Sequence, residues 1–162
     1  MAFDAFLKLD GIKGESQDDK HKGEIEIESF SWGVTQTGTL AFGGGGGAGK
    51  AQFQDFHFTS KVSKASPQLF IKCATGEHLK EGTLTLRKAG GSRQGIEFYK
   101  IRLADVLVSS YQSGGSAGGD VPADQFSLNF TKIEYTFTTQ NADGVAGEIV
   151  TGGFDLKQNK KV

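Results

Sequence analysis

The stretch "GGGGGAGKA", Gly43 to Ala51, has the spacing in this chain that most suggests chemistry. With Gly44 as the first glycine, Gly49 and Lys50 fall in register with a phosphate-cradling loop, where backbone amides and a lysine surround an anion. The next residue is Ala51, whereas that loop needs a Ser or Thr hydroxyl for magnesium. The context differs too. A phosphate loop joins a buried strand to a helix N-terminus, but the following "AQFQDFHFT" alternates polar and apolar residues and reads as a strand. The run reads as a loop used for something other than nucleotide, and no cofactor is expected.

Other reactive side chains are scattered. His21, His57 and His78 lie far apart and lack paired ligand spacing, and Cys73 with His78 would supply only two zinc ligands. His57, between Phe56 and Phe58, is expected on a polar strand face, and His21 in a solvated loop. No serine sits in a nucleophile elbow, and Cys73 has no evident activating partner. Glu24, Glu26 and Glu28 alternate with isoleucine, which places them together on a solvated strand face rather than in an acid–base pair. In "NADGVAGE", setting Asn141 and Asp143 as calcium ligands puts Val150 where the closing glutamate belongs, so a calcium loop is rejected. Neither a metal site nor a catalytic constellation is expected, and the role is read as non-enzymatic.

The elements around these residues are mainly strands. Of 162 residues, 24 are Gly and 13 Phe, a composition of short strands and tight turns. The length fits one domain over residues 1–162. The formal net charge of −1, and basic runs as short as "KQNKK", give no sign of nucleic acid or an anionic membrane as partner. A single cysteine forms no internal disulfide. The N-terminal "MAFDAFLKLDGIKGE" has no basic segment followed by a long apolar core, so it is not expected to be a secretory signal peptide, and no stretch nears the roughly 20 apolar residues of a membrane span. Synthesis in the cytoplasm is expected, with any export by a route lacking a cleaved leader.

Along the chain, Phe3, Ala5, Leu7 and Leu9 share one face of a first strand, and Gly14 to Gly23 forms a polar loop. Three long strands then switch the parity of their apolar residues: between Ile25/Ile27 and Phe30/Trp32/Val34, between Phe53 and Phe56/Phe58, and between Phe126/Leu128/Phe130 and Ile133/Tyr135/Phe137. A parity switch in a period-two element needs a bulge or bend, or else burial of both faces. Bends suit strands that turn the corners of a barrel. Further strands are expected at Thr83–Arg87, Ile96–Leu103, Val106–Tyr111 and near Gly153–Lys157. One helix is expected over about residues 66–75, with Ser66 capping, Pro67 in its first turn and Gly76 ending it. Leu69, Phe70 and Cys73 form its apolar stripe, with Cys73 read as a core residue. The fold class is a mainly β, bent-strand, barrel-like domain with one short helix and an extended glycine-rich loop over about 40–51.

Taken in order, "IKGES" (Ile12–Ser16), "DDKH" (Asp18–His21), "SWG" (Ser31–Gly33), "GGGGGAGK" (Gly43–Lys50), "LTLRKAGG" (Leu84–Gly91) and "VLVSSYQSGG" (Val106–Gly115) resemble the haemolysin-coregulated protein (Hcp) family. Its members are tube subunits of bacterial type VI secretion systems. The resemblance covers nearly the whole chain. It implies a hexameric ring with a wide channel, stacking of rings into an exported tube, and carriage of small effector proteins in the lumen. The implied partners are other copies of the chain, effectors, and the sheath and spike proteins. The implied location is the bacterial cytoplasm and then the exterior. Some members carry a C-terminal toxin domain, and the end at Val162 leads to the expectation of none here.

The resemblance also places Gly43, Gly44, Gly45, Gly46, Gly47, Ala48, Gly49 and Lys50 at subunit and ring contacts. Fixing each backbone residue costs about 1–2 kcal/mol, so ordering the five-glycine run costs on the order of 5–10 kcal/mol. Order gained only against a neighbouring ring would offset that cost. Ser31 has the parity opposite to Phe30 and Trp32 and faces away from their core. By resemblance it borders the channel and contacts cargo, whereas by strand pattern alone it is a solvent-facing serine. Two other readings stay open: an enzyme using the glycine loop, and a monomeric or small-oligomer β-barrel binding module without tube assembly.

Overall fold

The computed structural model describes residues 3–38, 49–88 and 95–162. In chain order these form β1 (Asp4–Leu9), β2 (Ile25–Ile27), β3 (Ser29–Ser31), β4 (Val34–Thr35), β5 (Gln52–Phe53) and β6 (Phe56–Lys61). The helix α1 (Ser66–Thr75) follows. Then come β7 (Leu79–Lys88), β8 (Ile96–Gly114), β9 (Ala123–Asn129), β10 (Lys132–Gln140), β11 (Ala146–Asp155) and β12 (Lys160–Lys161).

The parity switches are bends at which the chain changes neighbours. β2 pairs with β1, placing Ile27 opposite Ala5, while β3, one residue later, pairs with β6 and sets Phe30 opposite Phe58. β5 pairs with β4 in a short ribbon, and β6 joins β3 and β9. β9 lies beside β6 and β8, and β10 runs between β8 and β11. An element with a side-chain period of two can keep feeding one core through such a corner only if its buried parity changes.

One sheet therefore runs β12-β11-β10-β8-β7-β1-β2, and the β3-β6-β9 layer continues onto the far half of β8. The sheets are not closed into a barrel, so barrel-like describes the outline only. Phe56, Phe126, Leu7, Leu69, Leu84, Ile101 and Leu128 are essentially without solvent contact between the layers. Each such side chain contributes roughly 1.5–3 kcal/mol of burial.

Several expectations need correction. Ile96–Leu103 and Val106–Tyr111 are halves of one 19-residue strand, β8. Its corner is Asp105, which has φ of 53°. Asp tolerates this left-handed region better than most residues, so the strand turns without a glycine. The carboxylate of Asp105 is tied to His78 at 3.0 Å and to Lys157 at 3.4 Å. In β1, Phe3 is exposed while Phe6, of the opposite parity, is buried.

The last long strand begins at Ala146, earlier than expected, and "NADGVAGE" supplies the hairpin turn, with the Asn141 N–H donating to the Val145 carbonyl at 2.8 Å. Gly76 ends α1 with φ of 69°, as expected. The N-cap, however, is Ala65 without a side-chain bond. The Ser66 hydroxyl is drawn instead to the buried Asp124 carboxylate, to which it donates, and it accepts from the Ser63 N–H at 3.0 Å. Leu69 is buried and Cys73 packs on the core, but Phe70 is exposed, so the apolar stripe is only partly covered.

Candidate functional site

Ser31 lies on β3 with its side chain exposed, as its parity requires. Strand register extends it into a row: Ser31 is opposite His57, His57 opposite Ser127, and Ser127 opposite Ser110. The next row runs Ser29, Thr59, Gln125 and Gln112. Residues directly opposite each other share a face, so the outward side of this layer is a plane of hydroxyls and amides. A groove of about 340 Å³ lies over His57, Thr59, Ser110, Gln112 and Gln125. Ser127 is buried beneath it, its hydroxyl shared with Ser109 at 2.7 Å and Ser110 at 2.5 Å. At one margin Asp55 accepts from Ser109 at 2.7 Å and from Asn129 at 2.9 Å. Lys61 stands at the other margin, at the end of β6. Apart from His57, no ionisable group stands in the two rows. Such a surface offers many weak hydrogen bonds and no strong electrostatic selection.

The edges of this layer are open. Among the described residues, β3 pairs only with β6, and β8 beyond Val106 pairs only with β9. A third edge is β11, where Phe154 and Asp155 pair with β12 and the Gly153 carbonyl accepts from the Val162 N–H at 3.1 Å. From Ala146 to Gly152 that edge carries no Pro or Lys and a single charge, Glu148, so it has few of the usual devices against pairing with another chain. Ile149 and Val150 on β11 are 67% and 54% exposed, and Phe137, opposite Val150, is 40% exposed.

The described residues on either side of the glycine run lead into an aromatic cluster. Gly43 to Ala48 lie outside the described residues; Gly49 and Lys50 are described, and Lys50 is exposed. A methyl group on Gly49 would stand 3.0 Å from Gln36 Oε1 and 3.2 Å from the Thr37 carbonyl, so the two arms approach closely there. Below, Phe53 packs on Phe154 and Phe130, with ring centroids 5.5 and 6.0 Å away. Trp32 stacks on Phe56 and donates its indole N–H to Tyr99 at 2.8 Å. Burial pushes the Tyr99 hydroxyl up to about 12, so it stays protonated.

His21 is not in a solvated loop. It is buried, stacked on Phe6 at 4.5 Å, with Nδ1 3.0 Å from Glu24 and Nε2 2.7 Å from Glu97. Glu24 accordingly turns from the solvated face kept by Glu26 and Glu28. Beside it, Arg87 holds the Asp18 carboxyl at about 2, well below its ordinary value. The sequence signal for this cluster is Phe6 itself, an aromatic at an outward position of β1. His57 is exposed, as its alternation requires. Among the described residues no group of three or more His, Cys, Asp or Glu is placed to hold a metal ion. No helix among them is long and apolar enough to cross a membrane.

The chain matches known proteins over nearly all its length. A family model described as "Type VI secretion system effector, Hcp" matches residues 6–137. Protein hcp1 of Pseudomonas aeruginosa is 43% identical over 160 residues, covering 98% of each chain. The solved Hcp1 of Salmonella typhimurium superposes with a TM-score of 0.83 at 35% identity, covering 100% of both chains. A structure titled as a type six secretion system protein gives 0.93 at 32% identity, covering 99% of this chain and 100% of the other. With the motifs, the bent-strand layers and the full-length matches in agreement, this chain belongs to the Hcp family of type VI secretion proteins.

Proposed function

We propose that this protein is the subunit of a hexameric ring whose channel is lined by the β3-β6-β9-β8 layer, and that stacked rings form the inner tube of the secretion machine. The observation that carries this reading is the combination, on one layer, of an uncharged polar face and two open flanking edges. A head-to-tail arrangement that closes covers both flanks of every copy. It turns one face of the layer inward six times over. The exposed apolar side chains Ile149, Val150 and Phe137 are then covered between copies, which removes an aggregation hazard from the free edge.

The channel wall carries small effector proteins. Ser31, Ser29, Thr59, Gln125 and Gln112 hold them by many weak polar contacts, which suits cargo that must also be released. The run Gly43–Lys50 makes the ring-to-ring contact, and the sheath and spike proteins meet the assembled tube. The chain acts as a structural carrier, as one domain, and leaves the bacterial cytoplasm through the machine it helps to build.

The test is retention of a co-produced effector of the same secretion system. Ser31→Phe is expected to keep rings intact by electron microscopy while lowering effector recovery several-fold. Unchanged recovery would remove Ser31 from the channel wall.

A further inference from the structure

The imidazole of His21 is held by two carboxylates from different parts of the chain. Glu24 stands at the root of β2, with both its oxygens 3.0 Å from Nδ1. Glu97, near the start of β8, lies 2.7 Å from Nε2. Ionised carboxylates only accept hydrogen bonds, so both ring nitrogens must donate, and only the imidazolium has two N–H groups. A neutral ring would turn a lone pair toward one of the carboxylates. Among the described residues, charged groups close to the site include Asp18, on the same loop and paired with Arg87 of β7, and Asp4 of β1, 3.9 Å from Arg87. An apolar ring also faces it: Phe6, against which His21 lies with ring planes 7° apart.

We propose that His21 is a proton-operated catch that fastens the Gly14–Gly23 loop to the body of the protein. When doubly protonated, the ring joins Glu24 to Glu97 and keeps the loop seated on Phe6. When it loses a proton, one of the two links is lost and the His21 end of the loop loosens. The loop is folded on itself, through Gly14 N–H to the Gly23 carbonyl at 2.8 Å and Gly23 N–H to the Ser16 carbonyl at 2.9 Å, and is also tied to the body by Asp18 with Arg87 and by Glu15, which accepts from the Lys64 N–H at 3.0 Å. The catch therefore governs the His21 end of the loop. Its residues Gln17 and Asp18, with Phe6, line a cleft of about 480 Å³ that also includes Glu26, Glu28 and Lys61. Loosening that end frees the wall of the cleft beside Phe6.

The direction follows from the donors. The link is complete while the carboxylates are ionised and the ring is cationic, and raising the pH removes the second ring proton and with it one link. Hydrogen exchange of the full chain, read on peptides covering residues 14–24 and divided by the intrinsic rate at each pH, tests this. Between about pH 5.5 and about pH 8.5, loop protection in the native sequence should fall by about tenfold or more. Glu97→Gln should abolish the fall. Its carboxamide accepts from a protonated nitrogen or donates to a bare one, so the loop stays seated at both ends. His21→Gln should leave the loop weakly protected throughout; if that variant does not fold, Glu97→Gln still decides. Protection independent of pH in the native sequence, or an equal fall in Glu97→Gln, would overturn the proposal.

Discussion

Trp32 and Tyr99 join the two layers through one hydrogen bond, indole N–H to phenol oxygen, at 2.8 Å. Trp32 follows β3, and Tyr99 lies in the half of β8 that pairs with β7 and β10. The contact is framed by Phe30, 5.5 Å from the Tyr99 ring, and Tyr135, 4.8 Å from it. It stands just before β4 of the β4–β5 ribbon, whose strands flank the glycine run in sequence.

Tyr99→Phe removes the acceptor and leaves the Trp32 N–H half-buried without it. Losing a buried partner costs about 1–3 kcal/mol, and the partial exposure of Trp32 puts the expected loss at the lower end. Trp32 is the only tryptophan of the chain, so its fluorescence reports directly on the site. Urea unfolding should give a lower midpoint at unchanged slope, together with a shifted native emission maximum.

Acid should weaken the clasp between Asp18 and Arg87. The hydrogen bond from Arg87 holds the Asp18 carboxyl at about 2, against an ordinary value of 3.8. A depressed carboxyl stabilises the fold above its ordinary value, and that contribution fades as pH falls from 3.8 toward about 2. Arg87→Gln should flatten the dependence of the unfolding midpoint in this window. An unchanged slope in the variant would show that other carboxylates dominate.

The three bends were legible in the sequence because a strand's period of two makes any change of buried parity visible, as between Ile27 and Phe30. The continuity of β8 was not, because an Asp at positive φ bends a strand without the glycine that normally marks such a turn. The placing of Ser31 followed from its parity against Phe30 and Trp32. The polar plane around it did not, since Ser110, Ser127 and His57 are brought together only by strand register. The ties of His21 depend on Glu97, 76 residues away, and a loop histidine carries no local sign of such a partner. Ser66 misled for a related reason: a serine before a proline has the look of a cap, and its actual partner, Asp124, is distant in sequence.

Charge on the free edge should block association and spare the fold. Ile149→Lys with Val150→Asp alters two exposed side chains, and exposed sites usually shift stability by within about 0.5 kcal/mol. Thermal unfolding of the monomer should barely change, while sedimentation velocity should show assemblies replaced by single chains.

The glycine run should matter for stacking and not for folding. Gly45→Pro with Gly46→Pro restricts the backbone that is expected to order against the next ring. Isolated rings should persist and tubes should become rare. Tubes of normal length would exclude this run from the ring-to-ring contact.

The mass and shape of the purified, unmodified chain at high concentration test the central claim most directly. Sedimentation equilibrium together with negative-stain class averages should show a particle of six chains with a central opening. A single-chain particle that stays monomeric as concentration rises would contradict the account, because the open edges of the Ser31 layer would then need no second copy.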